Sequence, residues 1–233
     1  MFDLNGVLCH TQHIPRVPTR PFRHPDERVY DGELDTLINR KAVRARPGLR
    51  DFLREVLEFA HVVVWSSMVM ESTEPIVDFL FRDLPSPCLV LGQEDCNELL
   101  DEKGRPVPKF GGRGGGQQFL KVLRSRLWRG VPLLQGTPHG WWPTPENTLL
   151  VDDSPTKSVL NPPGNVIFPD TWTGDRKDTF LLDTLAPYLR RLALHAGSIP
   201  FFVRSNPIGN AALSPRDNVY KSIIRLAKFN KLI

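Results

Sequence analysis

Apolar residues at Leu49, Phe52, Leu53, Val56 and Leu57 recur at the three-and-four spacing of one helix face, predicting an amphipathic helix just after Arg46-Pro47-Gly48. Val62-Val63-Val64-Trp65 follows with no polar alternation, the pattern of a short strand buried on both faces. Ile76, Phe79, Leu80 and Leu84 mark a second helix, with Pro75 allowed in its first turn, and residues 88–91 read as another strand. Helical spacing resumes at Phe119, Leu120, Leu123 and Leu127. Residues 148–151 form a compact apolar run that ends abruptly in Asp152-Asp153-Ser154-Pro155, as a central strand would. Residues 166–168 add a last short strand, and Phe180, Leu185, Leu189 and Leu192 a covering helix. This alternation predicts a three-layer α/β domain with a mostly parallel central sheet and helices on both faces.

The segments between these elements have their own composition. Residues 14–25 mix prolines with Arg16, Arg20 and Arg23, which predicts an exposed extended loop. The glycine tract at 111–116 reads as a flexible loop, and without a following G-K-[ST] it is not a phosphate loop. Residues 130–146 are a proline- and glycine-rich connection. From 217 to 233, Val219, Ile223, Ile224 and Ala227 share one side while Lys221, Arg225, Lys228 and Lys231 lie largely elsewhere. That basic amphipathic helix is expected to pack back on its own domain ahead of a membrane or an acidic partner. The expected division is a main domain over 1–210 and a basic C-terminal helix or tail over 211–233.

With 233 residues, 40% apolar and 24% charged, there is material for one globular core, and disorder of the whole chain is excluded. No apolar run approaches the roughly 20 residues of a membrane span, and no targeting signal is visible. Cys9, Cys88 and Cys96 form no C-x-x-C pair, so a reduced intracellular compartment is expected. The net charge of +4 comes from lysines and arginines scattered among acids, which argues against a nucleic-acid interface.

In an open parallel sheet, ligands collect at the carboxyl ends of the strands. Three polar interruptions fall there: Asp3 followed by Asn5-Gly6, Ser66-Ser67, and Asp152-Asp153. A single carboxylate at a strand end serves equally well as a helix cap or a solvated turn. Two adjacent acids after a buried strand are more informative, because like charges held together call for a cation or for hydrogen-bond donors.

In this order, F-D-L-N-G-V-L, R-P-G-L-R-D-F-L, W-S-S, N-T-L-L-V-D-D-S-P-T-K and F-F-V-R-S-N-P resemble the motifs of the haloacid dehalogenase superfamily. The closer likeness is to its nearly cap-less branch of RNA polymerase II C-terminal-domain phosphatase-like proteins, in the plant-like D-L-N-G subset. The resemblance implies a Rossmann-like fold without a large cap and a magnesium-dependent phosphatase acting on phosphoserine or phosphothreonine proteins through an aspartyl phosphate. It makes Asp3 the nucleophile. Mg2+ would be held by Asp3, the Asn5 backbone carbonyl and Asp152, with Asp153 on a metal-bound water. Ser66 would donate to a phosphoryl oxygen, and a lysine would neutralise developing charge. Lys121, in F-L-K-V-L at the start of a helix, is preferred for that role over Lys109 in R-P-V-P-K-F.

One position departs from the pattern: members with full activity carry aspartate where this chain has Asn5. An amide cannot exchange a proton at neutral pH, and general acid-base catalysis is typically worth about 10²–10⁴ in rate. The resemblance therefore implies either a slow phosphatase favouring good leaving groups or an inactive, phosphatase-like protein-binding module. The mitochondrial inner-membrane import receptor shares the domain without the full acid pair, which makes import part of the second reading. Only Met1 and Phe2 precede Asp3, so a short first strand or missing upstream sequence is expected. Localisation is expected to be nuclear or cytoplasmic, and mitochondrial if an upstream segment is missing. The Arg16, Arg20 and Arg23 loop is either a solvated linker or an approach for an acidic phosphopeptide. The lack of a cap-sized segment favours a protein substrate over a metabolite.

Overall fold

The structure, a computed structural model, describes residues 1–13, 35–110, 116–128 and 142–233. The Arg16, Arg20 and Arg23 loop, nearly all of the glycine tract and most of the 130–146 connection lie outside the described residues. Strands β1 (Cys9–His13), β2 (Asp35–Ile38) and β3 (Lys41–Ala45) come first, followed by α1 (Leu49–Phe59), β4 (Val63–Trp65), α2 (Met70–Leu80) and β5 (Leu89–Leu91). Then come β6 (Asn97–Glu98), β7 (Phe119–Leu120), α3 (Leu123–Arg126), β8 (Leu150–Val151) and β9 (Val166–Ile167). Three helices close the chain: α4 (Ala186–Ala193), led by a wide π-helical turn over Phe180–Leu185, α5 (Ile199–Ser205) and α6 (Asn218–Phe229).

The central sheet is parallel. β4 pairs with β5 and β8 with β9, and Phe2 joins the two pairs through parallel bridges to Val64 and Val151. Its alternation explains the continuous apolar runs. Val62, Val64, Val151 and Ile167 face the main core with α1, α2, α4 and α5, whereas Val63, Trp65, Leu150 and Val166 face Leu123 and Leu127 on the other side. Beside this sheet, β1, β3 and β2 form a separate antiparallel sheet that the hydrophobic pattern does not announce.

Two expectations are corrected. Phe119 and Leu120 belong to a strand paired antiparallel with Asn97–Glu98, and the helix begins only at Leu123, because a cross-strand partner takes the backbone that helical spacing would have claimed. Pro75 sits well inside α2, which starts at Met70, where the Glu94 carboxylate receives the first free N–H. Proline removes the bond to the carbonyl of Glu71. The amide of Asn39, left-handed at φ 46° in the β2–β3 turn, fills that gap at 2.8 Å.

Helix α6 closes a third cluster in which Ile223 and Leu226 meet Leu99, Val107, Leu120 and Val122. The Asn230 side chain pairs with both backbone groups of Leu100, at 3.3 and 2.9 Å. Among the described residues, no helix is long and apolar enough to cross a membrane.

Candidate active site

Sheet register brings the polar interruptions to one edge. Trp65 N–H donates to Phe2 O, Asp3 N–H to Val151 O and Ser66 N–H to Leu91 O, each at 2.9 Å, so Asp3, Ser66 and Asp152 leave neighbouring strands at the same level. Asp3 is 1% exposed. Its Oδ1 accepts from Leu4 N–H at 2.8 Å and from Lys121 Nζ at 2.9 Å, and its Oδ2 accepts from Lys157 Nζ at 3.1 Å. Lys121 is fully buried and reaches Asp152 Oδ2 as well, at 2.6 Å. Asp152 Oδ1 accepts from Ser154 N–H at 2.8 Å, and Asp153 Oδ2 from the Thr171 hydroxyl at 2.7 Å.

These contacts set the charge states. Burial alone would raise the Asp3 carboxyl, but the ammonium groups of Lys121 and then Lys157 outweigh it and hold it below the ordinary carboxylate value. Asp153 moves the other way, raised first by burial and then by the nearby Asp3 charge. Burial works against the Lys157 ammonium, yet Asp3, Asp152 and Asp153 together raise its pKa. Counted formally, three carboxylates share the site with two ammonium ions, one negative charge in excess.

That excess, and the donor set, suit a hard divalent cation. Oxygens of Asp3, Asp152 and Asp153 lie within 4.8 Å of one another. Gly6 keeps the space open: at φ +90° it suits glycine, and an added Cβ would lie 2.2 Å from Asp153 Oδ2. Among the described residues, no hydrogen bond engages the carbonyl of Asn5. The residues present therefore fit Mg2+.

Asn5 is oriented by Thr11 on β1. Its Oδ1 accepts from Thr11 N–H at 2.7 Å and from the Thr11 hydroxyl at 3.0 Å. A backbone N–H can only donate, so the oxygen faces Thr11 and the NH2 is the branch left available. The Ser66 oxygen accepts from Met68 N–H at 3.1 Å, leaving its proton free to turn toward a ligand. Between the two rival lysines, the structure brings Lys121 to Asp3. Lys109 is exposed and makes no ion pair among the described residues.

Three residues escaped the sequence reading. Lys157 lies in a polar loop, where a lysine normally signals solvent, and only the short D-D-S-P-T-K spacing hinted otherwise. Thr11 sits on a strand whose partner is distant in sequence. Asn161 accepts from Leu123 N–H at 2.8 Å and donates to Lys121 O at 2.7 Å, clipping the Lys121 segment in place. Lys121 N–H also donates to Lys157 O at 2.8 Å, so the two lysines share one backbone support.

The family model for NLI interacting factor-like phosphatases matches residues 1–199. A probable C-terminal domain small phosphatase of Dictyostelium discoideum is 28% identical over 185 residues, covering 79% of this chain and 47% of that protein. CTD small phosphatase-like protein 1 of Caenorhabditis elegans is 25% identical over 192 residues, covering 82% of this chain and 31% of that protein. The chain thus spans less than half the length of either relative. Among solved structures, fission yeast RNA polymerase II CTD phosphatase Fcp1 bound to beryllium fluoride aligns with a TM-score of 0.45 at 13% identity, over 99% of this chain and 50% of the other.

Proposed function

This chain belongs to the family of NLI interacting factor-like phosphatases, and from that premise we propose that it is a magnesium-dependent phosphatase of phosphoserine or phosphothreonine proteins, slowed by Asn5. The observation that carries this reading is Asp3, a buried carboxylate kept ionised by two ammonium groups at the carboxyl end of the segment between β4 and β8, beside Asp152 and Asp153. An ionised, buried carboxylate oxygen is a competent nucleophile. Asp3 forms the bond to phosphorus as the bond to the serine or threonine oxygen breaks, and water later releases phosphate and restores the carboxylate. The Ser66 hydroxyl donates to a phosphoryl oxygen, and Lys121 balances charge built up on Asp3 and the phosphoryl group. Mg2+, held by Asp3, the Asn5 carbonyl and Asp152, with Asp153 through water, would neutralise the incoming dianion.

Asn5 occupies the place from which a proton should reach the departing alkoxide. Its NH2 can hydrogen-bond but cannot transfer a proton, so alkyl phosphates turn over slowly and aryl phosphates, whose leaving groups need little protonation, turn over better. The same residue favours a second reading, a binding module that keeps phosphate recognition and has lost turnover.

The test is hydrolysis of para-nitrophenyl phosphate and of a phosphoserine peptide, with and without Mg2+, by the natural chain, Asn5→Asp and Asp3→Asn. The phosphatase reading expects a magnesium-dependent rate that rises roughly 10²–10⁴-fold toward alkyl phosphates in Asn5→Asp and vanishes in Asp3→Asn. Folded variants that neither turn over nor bind Mg2+ would overturn it. Mg2+ binding without turnover, even in Asn5→Asp, would select the binding module.

A further inference from the structure

A cavity of about 190 Å³ lies beside the nucleophile, lined by Ser67, Gln93, Lys109, Gln117, Gln118 and Lys157, together with backbone near Gly116. Lys157 forms the wall common to cavity and site, with its ammonium on Asp3 Oδ2 at 3.1 Å. Lys121 and Lys157 differ in a way that matters. Lys121 has 0% exposed side chain and is held by two carboxylates, whereas Lys157 is 11% exposed and borders open space. Lys157 is thus the ammonium able to turn from Asp3 toward a ligand.

The cavity lining carries no acidic residue and two lysines. Among the described residues, the Ser67 hydroxyl, the Gln93 amide and the Lys109 ammonium make no hydrogen bond or ion pair, so three residues of the lining carry donors that no protein acceptor engages. Gln117 and Gln118 are already committed, to Glu98 and to backbone groups of Phe110 and Phe119, and act as rigid walls. Two cations, a hydroxyl and an amide around a small space match an oxyanion group.

We propose that this cavity is a second oxyanion subsite: it takes a phosphoryl or carboxylate group borne by the same peptide whose phosphorylated residue faces Asp3. Lys109, Ser67 and Gln93 are its ligands, and Lys157 is shared by the two anions. The inference rests on the phosphatase reading of Asp3 and adds a substrate class to it, peptides with an acidic group beside the phosphorylated residue.

The experiment measures binding of fluorescent peptides to the full chain in Mg2+ by anisotropy. Each peptide carries one phosphonate analogue of phosphoserine, which cannot be turned over, either alone, with a second phosphonate, or with aspartate at each flanking position. One charge-assisted contact predicts that the second anion tightens binding about tenfold. Lys109→Gln should bring that ratio to within about threefold of unity, while Lys103→Gln, on the exposed turn nearby, leaves it intact. Tightening by aspartate as well as by the second phosphonate identifies the source as any acidic side chain. Tightening by the phosphonate alone identifies a doubly phosphorylated substrate. A ratio of unity in the natural chain, or one untouched by Lys109→Gln, overturns the subsite and leaves the phosphatase reading standing. If no peptide with a single phosphonate binds, both are overturned.

Discussion

Replacing Lys121 by methionine removes one charge and keeps most of the aliphatic stem. Lys121 has no exposed side-chain surface and bonds Asp3 Oδ1 at 2.9 Å and Asp152 Oδ2 at 2.6 Å. In Lys121→Met, Asp3 still has Lys157, but Asp152 keeps only the Ser154 N–H on its other oxygen. Removing one partner of a buried pair costs about 3–5 kcal/mol, and the remaining Lys157 puts this case near the lower end, ~3 kcal/mol. With a urea slope of about 3 kcal/mol per molar for a chain of this size, the unfolding midpoint falls by about 1 M. The assay is urea unfolding followed by circular dichroism in the presence of a chelator. Adding Asp152→Asn to Lys121→Met removes the stranded charge and should recover most of the loss, and Mg2+ should raise the midpoint of the single variant. A single variant within about 0.5 kcal/mol of the natural chain would refute the reasoning, since the carboxylates would then not depend on Lys121.

Three further outcomes follow from the geometry. The folded-state pKa of Asp153 lies above its ordinary 3.8, so folding favours its proton; that contribution is complete below 3.8 and lost as pH rises through the raised value. Asp153→Asn should therefore raise the metal-free urea midpoint at neutral pH, by an amount that shrinks on acidification. Gly6→Ala places a Cβ against Asp153 and should weaken Mg2+ binding, measured by calorimetry, at least tenfold. Gly104→Ala, also at positive φ but with nothing within 4 Å, should cost only backbone strain, about 1–2 kcal/mol, and leave Mg2+ binding unchanged. Asn39→Gly keeps the left-handed turn but leaves the exposed Glu71 carbonyl to water, losing about 1 kcal/mol, which Pro75→Ala in the same chain should restore in thermal unfolding.

The parallel sheet was legible because its strands are buried on both faces and therefore read as unbroken apolar runs, and the site was legible because charge appears abruptly where those runs stop. Residues 119–120 were misread for a physical reason. Phe119, Leu120, Leu123 and Leu127 are all apolar at helical spacing, but the first two satisfy their backbone against Asn97–Glu98. Strand β1 pairs with β3 across a long stretch of chain, from Cys9 with Ala45 to His13 with Lys41, and no local pattern encodes that pairing. Lys157 looks like a surface lysine until the fold turns its loop over Asp3.

Asn5 is followed by glycine, the neighbour that least hinders attack of the next backbone nitrogen on an asparagine side chain. That attack expels ammonia, and hydrolysis of the ring leaves aspartate or its β-linked isomer. Folding guards against it twice: Gly6 N–H is committed to Cys9 O at 2.8 Å, and Thr11 clamps Asn5 Oδ1. An unfolded chain has neither restraint. Each hour spent denatured therefore ages a preparation toward the acid at position 5, the group that the proposed phosphatase reading finds missing. Residual turnover from refolded material can then come from a chemically aged fraction, and intact-mass measurement on the assayed sample tells the two apart.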